Sequence, residues 1–126
     1  MSSPLLILAP QDVLKVSSSL SPDLLMLIMA KAFYALSTGA GVISPQRMVI
    51  DNDASQRRTL FMPTHAVGYG TAVKTVSLST ATVIDPVSQG RPGLNASTLV
   101  IDDDMGAFTA LLNARHLTSL RTAAGV

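Results

Sequence analysis

A change of period at about Ser44 constrains this chain more than any other feature. Before it the pattern is helical. Ser21-Pro22-Asp23 sets an N-cap hydroxyl, a first-turn proline and an acid at the positive end of a helix dipole, and the spacing predicts a helix to about Ser37 that stops at Gly39. After it, Arg47 to Asp51, Arg58 to Met62, Gly70 to Ser79, Ala96 to Asp102 and Phe108 to Asn113 are short apolar or alternating runs bounded by turn residues, which read as strands. Asp51-Asn52-Asp53 and Asp103-Asp104-Met105-Gly106 supply turn chemistry, so their flanking strands are expected to pair as hairpins. Leu5 to Ala9 reads as a short buried strand, Pro10-Gln11-Asp12 opens a helix to about Val16, Ser17-Ser18-Ser19 is a break, and the chain turns helical again from about Asn113. The fold class expected is α+β, with helices packed on a largely antiparallel sheet in one domain of residues 1–126.

The predicted helix carries Leu24, Leu25, Leu27, Ile28, Ala32, Phe33, Ala35 and Leu36 around most of its circumference, so it should be buried on more than one side. Composition points the same way, since 48% of residues are apolar and only 13% charged, about half the usual roughly 25%. A domain this small and this apolar is expected to bury part of its outside against another copy of itself. Nine Lys and Arg without a basic stripe, and five aromatics not interleaved with them, argue against nucleic acid. The absence of Cys removes disulfides, a thiolate nucleophile and Cys-based zinc, and two His are too few for a His-rich metal site. The first residues lack a basic n-region, and the longest uncharged apolar run, Leu24 to Ala30, is far short of a bilayer span, so a cytoplasmic protein is expected.

Single motifs say little about chemistry. Gly68-Tyr69-Gly70 precedes a strand, whereas a dinucleotide fingerprint follows one and opens a helix, so it reads as a turn. Asp102-Asp103-Asp104 reads as a solvated turn rather than a metal cluster, and His65, placed in a loop after Met-Pro-Thr, and His116 as ordinary residues. Ser17 to Ser19 offer hydroxyls without an adjacent base. Lys74 differs, because the alternation puts it on one face with Ala72, Val76 and Leu78. An ammonium on a core face is unfavourable unless it is paired or performs chemistry, and burial lowers its pKa; the other reading is an edge strand that turns Lys74 outward.

Leu60-x-Met62-Pro63, Val73-Lys74-x-Val76, Gly90-x-Pro92, Leu99-Val100-Ile101-Asp102, Ala110-Leu111-Leu112-Asn113 and the closing Leu117-Thr118-Ser119-Leu120-Arg121-Thr122-Ala123-Ala124 together resemble the ornithine cyclodeaminase and mu-crystallin family. The resemblance covers nearly the whole chain but only the family's amino-terminal substrate-binding and dimerisation domain. It implies that Arg47 and Arg121 hold a substrate carboxylate, that Met62 lies in the substrate site, and that Lys74 contacts the substrate and assists proton transfer. It also implies sheets pairing into a barrel-like homodimer. The NAD or NADP that the family uses belongs to a Rossmann domain that this sequence does not contain. Three departures stand out: the segment from Lys74 to Gly90 is longer than usual, Gly93 replaces a Thr that helps bind cofactor, and Leu60 replaces an acid.

The leading expectation is a truncated, cofactor-independent relative, a lyase, cyclase or isomerase acting on a small amino, imino or keto acid through Lys74, with no metal. The alternatives are a non-catalytic binding or dimerisation partner and a fragment of an NAD(P)-dependent enzyme.

Overall fold

The computed structural model describes residues 4–80 and 94–124. The elements run β1 Leu6–Leu8, α1 Pro10–Ser18, α2 Pro22–Thr38, β2 Val42–Ile43, β3 Met48–Asn52, β4 Arg57–Ala66, β5 Gly70–Ser79, β6 Leu94–Ile101, β7 Phe108–Asn113 and α3 Arg115–Ala124. Seven strands form one open sheet in the order β1-β7-β6-β5-β4-β2, with β3 also on β4. All pairs are antiparallel except β1 with β7. The α+β class with a largely antiparallel sheet is therefore the observed one.

Local chemistry explains several boundaries. Ser21 accepts a hydrogen bond from the Leu24 amide at the start of α2, and Gly39 ends it at φ 71°, a left-handed conformation that glycine adopts without strain. Asp51 to Asp53 and Asp102 to Gly106 do turn hairpins, the second held by the Asp102 carboxylate accepting from the Asp104 and Met105 amides. The Gly68-Tyr69-Gly70 segment is the β4–β5 turn, closed by the Tyr69 amide on the Ala66 carbonyl.

Four expectations are corrected. The Ser17 to Ser19 segment does not break α1 where expected: the helix continues through Ser18, Ser17 is buried, and the Ser17 and Ser18 hydroxyls donate to the Leu14 carbonyl. His65 lies in β4, not in a loop, because that strand runs straight through Pro63. The proline is tolerated there because β3 covers β4 only to Phe61 and β2 begins at His65, leaving Pro63 in the gap between them. The Leu5 to Ala9 strand is not buried, since Leu6 and Ile7 are 57% and 65% exposed on an edge. Nor is α2 buried on more than one side: none of its residues is buried and Tyr34 is 71% exposed, because among the described elements only α3 packs closely against it.

The core is small and one-sided. Val76, Ala96 and Ala114 are buried, with Leu60, Met62, Leu78, Leu94 and Leu117 packed around them. These strand residues all point to the side of the sheet that α3 covers, as their cross-strand pairing requires. Among the described residues no single helix is long and apolar enough to cross a membrane.

Candidate functional site

Lys74 stands in β5, between β4 and β6, so the edge-strand alternative is not what the chain adopts. Its direct partners are Met62 on β4 and Thr98 on β6, and Thr98 in turn faces Leu112 on β7. Directly opposed residues share a face, so this row of four lies next to the row of Leu60, Val76 and Ala96, under α3. Half-buried among these apolar neighbours, the Lys74 ammonium is pushed below the ordinary lysine range by loss of solvent and, secondarily, by the positive charge of Arg121.

Arg121 reaches Lys74 through the packing of α3. Leu117 is seated on the Val76–Ala96 cluster, and Arg121 follows one turn later, about 6 Å along the helix. Lys74 lies two residues from Val76 along β5, about 6.6 Å, so the two cations are offset from the core contact by matching steps. No carboxylate among the described residues pairs with either. Three carboxylates have other partners: Asp51 accepts from Arg58, Asp12 from the Ala9 amide, and Asp103 from Thr71.

Arg47 is exposed and lies one residue before β3. The β3–β4 register pairs Met48 with Phe61 and ends there, so Arg47 stands just outside the ladder. Met62 is half-buried and packs on the core beside Lys74. Lys74, Arg121 and Met62 are thus brought to one face, while Arg47 is exposed just ahead of β3. A guanidinium and a partly desolvated amine, with no carboxylate paired to either among the described residues, can attract a small anion.

Thr98 was not singled out from the sequence. Its position beside Lys74 depends on the β5–β6 register, which no local pattern reveals. The signal available was compositional, a lone hydroxyl in the otherwise apolar alternation Leu94, Ala96, Thr98, Val100.

The remaining candidates fall outside this cluster. His65 Nδ1 lies 2.9 Å from Thr71 Oγ1, which donates to Asp103 at 3.2 Å. That linkage ties the β4–β5 and β6–β7 hairpins together on the face away from Lys74. His116 is exposed near the start of α3. Among the described residues no three His, Cys, Asp or Glu side chains could share a metal ion. The segment from Ala81 to Gly93, which carries the Gly93 departure, lies outside the described residues.

A dinucleotide finds no cradle among the described residues. The strand-to-helix junctions are Ala9, between β1 and α1, and Ala114, between β7 and α3, and neither is the glycine-rich turn that pyrophosphate requires. An open groove of about 530 Å³ runs between α2 and the ends of β2 and β4, lined by Lys31, Ala35, Leu36, Thr64, Ala66 and Tyr69 among others. It shares the α3 side of the sheet and is lined by neither Lys74 nor the two arginines.

The α+β domain thus sets two cations, Lys74 and Arg121, over one apolar sheet face. The chain matches the ornithine cyclodeaminase/mu-crystallin family over residues 9–126, and it belongs to that family. Among solved structures it is similar to Δ1-pyrroline-2-carboxylate reductase of Thermococcus litoralis in complex with NADH and L-proline, at 29% identity and a TM-score of 0.80 over 94% of this chain. An archaeal alanine dehydrogenase dimer with bound NAD gives 26% identity and a TM-score of 0.78 over 95%. A lysine cyclodeaminase described with L-lysine, L-ornithine and L-2,4-diaminobutyric acid gives 27% and 0.76 over 97%. The chain spans 35%, 34% and 36% of these proteins respectively, about a third of each. No curated protein matches it by sequence.

Proposed function

We propose that this domain binds a small amino, imino or keto acid, with Arg121 and Arg47 gripping the carboxylate and Lys74 serving the carbon next to it. The observation that carries the reading is the pair of unneutralised cations, Lys74 and Arg121, on one apolar face. Arg is permanently charged and its fork matches a carboxylate, whereas a lysine of lowered pKa exchanges protons closer to neutrality. Such an amine can take a proton from the substrate's α-carbon and return it to another position. With a keto acid it can instead add to the carbonyl and expel water, giving an imine. Isomerisation, cyclisation and elimination are open to it by these routes, and none of them consumes a reductant.

A second reading is favoured by the NADH and NAD bound in similar structures. In it the same face orients the acid toward a dinucleotide held by another domain, since the described residues of this one offer no cradle.

Titration of the protein with L-proline and with pyruvate, followed by turnover assays with and without NADH, tests both. Arg121→Gln should weaken carboxylate binding by tenfold to a hundredfold, as loss of a charge-assisted pair does. Turnover without NADH that disappears in Lys74→Ala supports the first reading, turnover strictly dependent on NADH the second. Carboxylate affinity unchanged in Arg121→Gln would overturn the shared pocket.

We further propose that two copies pair through the sheet face away from α3, closing a barrel-like homodimer. Ile7, Met48 and Ile50 on that face stay 65%, 64% and 58% exposed, apolar surface that a second copy would cover. Light scattering checks this, and a stable monomer at micromolar concentration would contradict it.

A further inference from the structure

On the α3 side of β4, β5 and β6, the described residues are Arg58, Leu60, Met62, Thr64 and Ala66, then Ala72, Lys74, Val76 and Leu78, then Leu94, Ala96, Thr98 and Val100. Arg58 is occupied by Asp51, and Thr64 is exposed and lines the groove under α2. That leaves Lys74 and Thr98 as the polar side chains at the centre of the face, side by side on neighbouring strands, with β-carbons about 5 Å apart. Their lengths differ. A threonine side chain is much shorter than a lysine's, so the Thr98 hydroxyl lies close to the sheet beside the lysine stem, with Leu112 on its other side and Ala96 and Val100 along its own strand.

Thr98 is half-buried, and its hydroxyl has no hydrogen-bond partner among the described residues. The other helix-side threonines near the site behave differently: Thr118 and Thr122 donate back to carbonyls of their own helix, at Ala114 and Thr118. A hydroxyl left open on the floor of a site is satisfied by water when the site is empty. Under a purely aliphatic ligand it loses that water and gains nothing.

Resting on the reading of this face as a carboxylate site, we infer that Thr98 is its specificity-determining residue: its hydroxyl selects acids that carry a hydrogen-bonding group beyond the carbon served by Lys74. The acid's carboxylate is held above by the arginines, its reacting carbon faces the amine, and its next polar atom lies on Thr98. Aliphatic acids of the same shape leave the hydroxyl unsatisfied and bind less well.

L-threonine and L-valine, which differ by a hydroxyl in place of a methyl, are suitable probes. Calorimetric titration of the wild-type protein should show about a tenfold preference for L-threonine, within the range that one unsatisfied hydroxyl produces. Thr98→Val, close in shape and at home in a strand, should erase that preference, and Thr98→Ser should restore it, an outcome that a merely structural role would not give. An equal ratio in wild type and Thr98→Val, with binding of both probes lost in Arg121→Gln, would overturn the role of Thr98 and leave the pocket intact. Undiminished binding in Arg121→Gln, or no binding of either probe at millimolar concentration, would overturn the pocket itself and this inference with it.

Discussion

Val76 and Ala96, on the α3 side of the sheet, are 6% and 3% exposed, whereas Met48, Ile50 and Ile7, on the other side, remain 64%, 58% and 65% exposed. The sequence treats the two sides alike in one respect, since each carries enough apolar surface to ask for a cover. Pro63, Val73, Leu99, Leu111 and Ile7 form a continuous apolar row across five strands on the uncovered side. The described residues supply a cover for one side only, from α3 and the Leu117 contact, and it is there that Lys74 loses solvent. The comparison separates what the single chain can complete, a half-buried ionisable group beneath its own helix, from what it leaves for another surface.

The largest effect that would break this comparison comes from the uncovered side. Leu99→Asp, at the centre of the apolar row, should change little in the isolated chain but weaken self-association by about a hundredfold or more, because the carboxylate must be desolvated between sheets. Light scattering across a dilution series reads the change. Association unaltered by Leu99→Asp would place the copy-to-copy contact elsewhere, with the exposed α2 the next surface to examine. On the covered side, Leu117→Ala should lower unfolding stability by about 2 kcal/mol, at the low end for Leu→Ala because the side chain is only partly buried. That loss should be independent of protein concentration, which distinguishes the two sides by a single urea titration at two dilutions.

Lys74 sharpens the same contrast through pH. Its pKa in the fold is lowered relative to the unfolded chain, so the unfolded state binds more protons between the two values and stability rises with pH across that window. The stability is whole above the ordinary lysine value and is lost as pH falls toward the folded one, leaving a constant penalty at neutrality. Lys74→Met should therefore melt at a higher temperature than wild type at pH 7, with the gap closing as pH approaches 10.5. A gap that stays constant with pH would mean that packing, not the charge, sets it. The same variant should lose the proposed chemistry, so stability and function oppose each other at this residue.

How much of this was legible depended on how local each signal is. The α2 cap, the Gly39 stop and the limits of β5 and β7 follow from neighbouring residues and stand as expected. Lys74 announced itself by alternation, and Arg121, Arg47 and Met62 by resemblance to a family, which carries three-dimensional information that spacing lacks. What failed to show was always non-local. Pro63 argued against a continuous strand because the gap between β2 and β3, which makes it harmless, belongs to other segments. Thr98 stayed hidden because β5 and β6 are joined by a long connection that sets no register. The exposure of α2 reversed expectation because apolarity says that a helix needs a cover, not that its own chain provides one.

The smallest effect concerns the side of the sheet that α3 covers but at a place where solvent persists. Asp51 and Arg58 form a two-point ion pair there, with Nε to Oδ1 at 2.7 Å and Nη2 to Oδ2 at 3.2 Å, while each side chain stays about half exposed, 49% and 50%. The hydrogen bond from Arg58 holds the Asp51 carboxyl below its ordinary range, so the pair's contribution exists above that range and fades as pH falls. Water and salt screen such a pair, whatever its geometry. Asp51→Asn should leave the melting temperature unchanged within error at physiological salt and pH 7, with any difference appearing only at low ionic strength. A clear loss at physiological salt would show that this margin is more enclosed than the single chain suggests, as it would be if a second copy or a further domain shielded the pair; the protection seen at Val76 would then extend beyond the reach of α3.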